Sequence, residues 1–388
     1  MKSYEYLIAG GGMAAAAAVK GIRELDPDGS IAVVCEEPDP PYDRPPLSKS
    51  LWKGKPLDAV WMDTAGAELA LGRTVAALRP ASHSLLRDDG EEIGYGKLLI
   101  ATGGSPRRLG FAGGAIIYLR NLGDYRELRR RCETADRFLV VGGGLVASEI
   151  AAALAMNRKK ATMLFPGEGI DGRLLPREFS LRLNDFYRSK GIELFPGESL
   201  ASLEARGGKY IAGTSTGREI ETQAVVAGLG IEPKLDFAAS AGLRIDDGIV
   251  VGPRLETSYP DVFAAGDAAS FYCAALGKRI RPEHEDNALA MGLVAGRNMA
   301  GATESYDRIP YFYSDLFELG YEAVGELDPG METVVDWKIP DEKAVAYYLG
   351  GGRVRGVLLW NAPKRVEAAR ELVAAEGPFS AEELVGRI

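Results

Sequence analysis

Tyr6-Leu-Ile-Ala-Gly10-Gly-Gly12-Met-Ala-Ala15 runs from a short apolar segment through a glycine triplet into an alanine-rich stretch. The apolar segment reads as a buried strand and the alanines as a helix. Residues 30–35 then read as a second strand ending at Glu36, which completes a βαβ unit. The small residues have separate tasks. Gly10 permits the tight turn, Gly12 lets the backbone approach a pyrophosphate, and Ala15 permits close packing of helix on sheet. A pyrophosphate so placed meets the helix N-terminus. Glu36 stands 26 residues after Gly10, where a carboxylate accepts hydrogen bonds from ribose hydroxyls.

The pattern recurs. Residues 137–141 read as a buried strand, Gly142, Gly144 and Ala147 open a helix over 145–156, and residues 161–165 read as the next strand. Glu168 lies 26 residues after Gly142, which repeats the first spacing. One GxGxxG is weak evidence, because a glycine turn also packs helices on sheets; two in matching context predict two dinucleotide sites. Two nicotinamide sites would serve no chemistry in one chain, whereas one flavin and one nicotinamide make an electron path. Residues 98–103 and 261–267 are both strand-then-glycine segments, and they bracket the second unit as an insertion. The expected fold is therefore α/β. Two Rossmann-like dinucleotide-binding domains, one discontinuous (1–109 and 231–307) and one inserted (110–230), precede a C-terminal α+β interface domain (308–388). The last domain is read from strand-like segments at 345–349 and 354–359 and an amphipathic helix over 365–375.

The whole chain agrees with this division, since 388 residues exceed what one hydrophobic core holds together. With 46% hydrophobic and 26% charged residues the composition is that of an ordinary globular protein. The formal charge of −9 argues against nucleic acid as a partner. No apolar run reaches the length that spans a bilayer, and the first strand begins too early to leave room for a signal peptide, so a cytoplasmic location is expected. Cys35, Cys132 and Cys273 are far apart and form neither a CxxC pair nor a metal cluster.

The chain resembles the two-dinucleotide flavoprotein reductases, in particular the branch of oxygenase-system ferredoxin reductases and apoptosis-inducing factor. The resemblance covers essentially the whole length. It is carried by Pro41-Tyr-Asp-Arg-Pro-Pro-Leu-Ser-Lys49, Thr257-Ser-Tyr-Pro-Asp-Val-Phe-Ala-Ala-Gly-Asp267, Glu283-His-Glu-Asp286, Tyr313-Ser-Asp315 and Gly356-Val-Leu-Leu-Trp-Asn361. It implies that Glu36 binds the adenosine ribose of FAD, that Arg44 and Arg120 lie along the cofactor, and that Thr102 and Gly103 close over it. It implies further that Gly266 and Asp267 meet the ribityl chain and that Gly230 belongs to the cofactor-binding set. His284 and Tyr313 are implied at the flavin, and Leu145 at the nicotinamide entrance. Lys49 is implied beside the flavin and paired with Glu149, in the first turn of the second glycine-rich helix. An ammonium there would stabilise negative charge on a reduced flavin. Read without the resemblance, Lys49 is a surface lysine, and Asp267 and His284 are helix-terminal residues. The run His284-Glu-Asp has too few ligands around it for a metal, and none is expected.

The disulfide-reducing relatives carry a cysteine pair near the Pro45-Pro-Leu-Ser-Lys49 segment, which here has no cysteine. Electrons are thus expected to leave from the flavin directly. The acceptor expected is a ferredoxin or rubredoxin type of protein, with Lys278, Arg279 and Arg281 as a candidate docking cluster. Arg129, Arg130 and Arg131 read as a solvated helix face. A second reading is an apoptosis-inducing-factor-like redox sensor, against which stand the short stretch between Gly325 and Arg353 and an aliphatic Leu145. An NADH oxidase or quinone reductase is the third. For the coenzyme, Glu168 favours NADH over NADPH by repelling a 2′-phosphate, while alignment shifts that glutamate by one position and leaves Arg173 as a possible phosphate ligand.

Overall fold

The computed structural model describes every residue except Ala65 and Ala112, and its chain divides into two units. The first comprises Met1–Arg44, Pro56–Ser105 and Glu232–Tyr311; the second comprises Pro45–Lys55, Pro106–Ile231 and Phe312–Ile388.

In the first unit the apolar run opens as the strand Lys2–Ala9, whose inner residues Leu7, Ile8 and Ala9 are fully buried. It lies between Ile31–Cys35 and Glu92–Ile100 in parallel register, with Ile8 opposite both Val33 and Leu99. Glu68–Leu71 extends one edge and Val262–Ala264 joins the far end of Glu92–Ile100, both in parallel. Strands covered on both faces need unbroken apolar runs, as Ile31–Cys35 has along its whole length. The hairpin Val75–Arg79 with Ser84–Arg87 completes the seven-stranded sheet in antiparallel sense. The alanines of helix Met13–Arg23 have a reason beyond the sheet. Helix Glu285–Met299 lies against them so closely that a Cβ at Gly292 or Gly296 would stand 2.2 or 2.1 Å from the carbonyl oxygen of Ala14 or Ala18.

The second unit contains a five-stranded parallel sheet in the order Glu193–Pro196, Lys160–Phe165, Arg137–Val141, Ala224–Ala227, Ile116–Tyr118. Helix Leu145–Met156 has the expected bounds, and the meander Leu200–Arg206, Lys209–Thr214, Glu219–Thr222 follows in the chain. The C-terminal segments form a five-stranded antiparallel sheet that includes Lys343–Gly350 and Arg353–Trp360, and helix Val366–Ala374 ends within one residue of the expected bounds on either side. Two hydrophobic clusters pack this unit, and in the larger Phe179 stacks on Trp337 at 5.2 Å and meets Trp360 edge-on, and Trp360 stacks in turn on Tyr321. Pro45–Lys55 belongs to the same core through Trp52, which donates from Nε1 to the Leu47 carbonyl and packs edge-on against Tyr125.

Candidate functional site

The two glycine turns have the same backbone geometry although the residues around them differ. Gly10 has φ +119° and Gly142 φ +120°, a conformation an L side chain rarely adopts. A Cβ at Gly10 would stand 2.1 Å from the Ala101 carbonyl oxygen, and one at Gly142 2.3 Å from that of Gly228. Helices Met13–Arg23 and Leu145–Met156 then start from Gly12 and Gly144. Neither start has a side-chain cap, and neither first turn carries an acidic residue. The first N–H groups of each helix are thus left for an anion, and nothing of like charge opposes one. Ala15 and Ala147 are buried at the helix–sheet contact. By donor set and space, the residues at both turns fit the pyrophosphate of a dinucleotide such as FAD or NAD(P)H.

In the first unit the consecutive acids after Ile31–Cys35 diverge. Glu36 is half exposed and pairs with Lys234, while Glu37 bonds the guanidinium of Arg44. Lys234 was not legible as a site residue. Its backbone N–H donates to the Gly103 carbonyl at 3.2 Å, and its own carbonyl accepts from Thr102 Oγ1 at 3.3 Å, so Lys234 ties Glu36 to the turn expected over the cofactor. Arg44 also bonds Tyr42 Oη at 3.2 Å and lies over that ring at 5.1 Å. Gly266 and Asp267 form a 3-10 turn after Val262–Ala264, and Arg281 Nη1 donates to the Asp267 carbonyl at 3.2 Å. His284 caps helix Glu285–Met299 by position without a side-chain cap bond. Loss of solvation pushes its imidazole down to about 4.

In the second unit Lys49 Nζ and Glu149 Oε2 are 2.8 Å apart, with Glu149 only 3% exposed. Glu149 is the fifth residue of helix Leu145–Met156 and so lies in its second turn, one turn deeper than expected. Two hydroxyls that sequence reasoning missed complete its shell: Ser48 Oγ donates to Oε2 at 2.5 Å and Ser314 Oγ to Oε1 at 2.8 Å. Tyr313 presents its ring 5.2 Å from Lys49 Nζ. Leu145 is partly buried at the head of the same helix. Arg120 precedes helix Leu122–Thr134, and its backbone N–H donates to Asp124 Oδ2. Gly230 accepts from the backbone of Arg107 at 3.0 Å. Glu168 is exposed and bonded by Arg177 Nε at 2.7 Å, and its carbonyl is held by Asn184 Nδ2 at 2.8 Å. Arg177 opens helix Arg177–Ser189, a place that the spacing of Glu168 alone does not mark.

The candidate docking cluster does not form a cationic face. Arg281 is 8% exposed and bonded to Glu283 and Asp247, and Arg279 Nη1 is turned to the carbonyls of Val251 and Ser270. Only Lys278 of the three is exposed, because the guanidinium groups of Arg279 and Arg281 are held by backbone carbonyls, that of Arg281 by Asp267. Of the arginine run at 129–131, Arg130 and Arg131 pair with Glu127 and Arg129 lies over the Trp52 ring at 4.9 Å. Cys35 is fully buried with its thiol pushed up to about 12 by desolvation, and none of the three cysteines stands in a disulfide. Among the described residues no cluster of His, Cys, Asp and Glu could hold a metal ion, and no helix is long and apolar enough to cross a membrane.

Residues 4–292 match the pyridine nucleotide-disulphide oxidoreductase family, and residues 311–387 match the reductase C-terminal domain. The chain is 33% identical to the 5,5'-dehydrodivanillate O-demethylase ferredoxin reductase subunit of Sphingobium sp., over 96% of this chain and 94% of that one. It is 32% identical to mitochondrial apoptosis-inducing factor 1 of Dictyostelium discoideum, over 96% and 79% of the respective chains. Among solved structures, the covalent putidaredoxin reductase–putidaredoxin complex superposes with a TM-score of 0.91 at 27% identity, covering 98% of this chain and 95% of that one.

Proposed function

We propose, given that this chain belongs to the pyridine nucleotide-disulphide oxidoreductase family, that it is an NADH-dependent FAD reductase that hands electrons to a ferredoxin-type carrier. Bound FAD supplies an acceptor for the nicotinamide hydride and releases electrons singly. The observation that carries the reading is the pair of uncapped glycine turns of equal geometry in a chain whose three cysteines form no disulfide. The division into domains 1–109 with 231–307, 110–230 and 308–388, and a cytoplasmic location, belong to the same proposal.

Gly10, Gly12 and Ala15 give the FAD pyrophosphate its seat, with Glu36 for the ribose and Arg44, Arg120, Thr102, Gly103, Gly266, Asp267 and His284 along the cofactor. Lys234 pairs with Glu36 through Oε2, and Oε1 is the acceptor assigned to a ribose hydroxyl. Gly142, Gly144, Leu145, Ala147 and Gly230 form the corresponding seat for the nicotinamide coenzyme. Lys49 sets a positive charge toward the flavin, and Glu149 fixes its position through the 2.8 Å contact. Tyr313 shields the ammonium from water on one side. The coenzyme assigned is NADH. Glu168 opposes a 2′-phosphate, and Arg177 holds that carboxylate in place.

Anaerobic stopped-flow reduction tests the reading. Rapid bleaching of the flavin by NADH, followed by reoxidation by ferredoxin much faster than by oxygen, is the expected result. Slow reduction to a long-lived charge-transfer complex that no carrier discharges would replace the reductase with a redox sensor.

A further inference from the structure

Beneath the second glycine turn lies a second buried carboxyl group. Asp171 is 2% exposed, and its backbone N–H donates to the Gly143 carbonyl at 2.6 Å. Its φ of 53° places it in the left-handed region, which aspartate and asparagine tolerate better than most residues. The two carboxyls of this region are served unequally. Glu149 has Lys49, Ser48 and Ser314 as donors, the set that a carboxylate accepts. Asp171 has one, Tyr321 Oη at 2.7 Å from Oδ2, and its Oδ1 is buried without a hydrogen-bond partner. An ionised oxygen so placed costs far more than a neutral one.

We propose that Asp171 is a positioning residue that acts through Glu149: as an uncharged carboxylic acid it leaves Lys49 faced by one carboxylate, and on ionising it puts a second negative charge into the same buried region. This rests on the reading of Lys49 as the cation set toward the flavin. Burial first, and then the charge of Glu149, push the Asp171 carboxyl up to about 7, while the Tyr321 bond works in the opposite direction. Besides Glu149, two phenols interact with it, Tyr321 and Tyr187. Both are raised by burial and stay neutral, Tyr187 donating to the Ser148 carbonyl at 3.0 Å. Asp171 is thus the group of this set that changes charge near neutrality. Above that point Lys49 offers less net positive charge, and acceptance of a hydride at its side slows.

Infrared titration of the FAD-loaded protein reads the proton directly. A carboxylic acid C=O band present at low pH and lost with a midpoint near 7 is expected, absent in Asp171→Asn, moved to lower pH in Glu149→Gln and to higher pH in Tyr321→Phe. In parallel, the rate of anaerobic reduction by NADH should step down across the same midpoint in the parent and lose that step in Asp171→Asn. A band that survives in Asp171→Asn, a midpoint indifferent to Glu149→Gln, or a rate step retained in Asp171→Asn overturns the proposal. If NADH reduces none of these proteins, the reductase reading is what fails, and the response of the band to Glu149→Gln still decides whether Asp171 acts through Glu149.

Discussion

Replacing Lys49 by methionine removes the cation from a pair at 2.8 Å whose side chains are 13% and 3% exposed. At an effective dielectric of about 20 the gross attraction at that distance is about 6 kcal/mol, most of it offset by desolvation of both ions. What decides the cost is the partner left behind. Glu149 would remain buried as an anion with the hydroxyls of Ser48 and Ser314 alone, so Lys49→Met should destabilise the protein by about 3 kcal/mol. Glu149→Gln should cost about 1 to 2 kcal/mol, because glutamine keeps a carbonyl for one serine, its NH2 can donate to the hydroxyl of the other, and the lysine is the more exposed member. The double variant retains no stranded charge and should be more stable than Lys49→Met alone, with a coupling of about 2 kcal/mol or more. Urea unfolding at a fixed excess of FAD, followed by far-UV circular dichroism, measures all four proteins under one linkage condition. If the double variant is no more stable than Lys49→Met, the two groups do not act as a pair.

Gly142→Ala should raise the Kd for NADH about tenfold or more while leaving FAD content unchanged, since the backbone at +120° and the 2.3 Å approach to Gly228 both resist a methyl group; equilibrium titration of the holoprotein checks it. Glu168→Ala should reduce the preference for NADH over NADPH in kcat/KM by about tenfold, the scale of one charged hydrogen bond, and an unchanged ratio would remove Glu168 from coenzyme choice. Asp171→Asn should alter the pH dependence of stability. A carboxyl whose folded value is raised from 3.8 to about 7 binds more protons folded than unfolded, so its contribution is full at low pH and is lost as pH rises through this window. The variant should therefore gain on the parent as pH rises from 4 to 7, and a difference independent of pH would refute the assignment.

The two βαβ units were legible because each strand, turn and helix uses a local pattern: unbroken apolar runs, a glycine triplet, small residues at fixed offsets. Helix Leu145–Met156 and strand Arg137–Val141 fall at their expected bounds for that reason. What remained hidden depends on side chains far apart in sequence. Ser314 reaches Glu149 across 165 positions and Lys234 reaches Glu36 across 198, and no spacing rule joins them. The basic residues at 278–281 misled for the same cause: their count is a property of the sequence, but the direction of Arg279 and Arg281 is set by bonds to Val251, Ser270, Asp267 and Asp247. Asp171 carries no motif at all. Its interest arises from burial, and burial was not readable there, since a Gly-Glu-Gly-Ile-Asp-Gly run looks like solvent-exposed loop.

The bond from Tyr321 to Asp171 and that from Ser314 to Glu149 have a consequence for recombination between relatives. Both donors lie in the part that matches the reductase C-terminal domain, and both acceptors lie in the part that matches the nucleotide-binding family. A chimera joined near residue 311 would inherit acceptors from one parent and donors from the other, and a recipient without these hydroxyls would leave two carboxyls buried with fewer partners. The last domain cannot be treated as an interchangeable cover. Serviceable hybrids would have to carry Asp171 with Tyr321 and Glu149 with Ser314 as linked alleles.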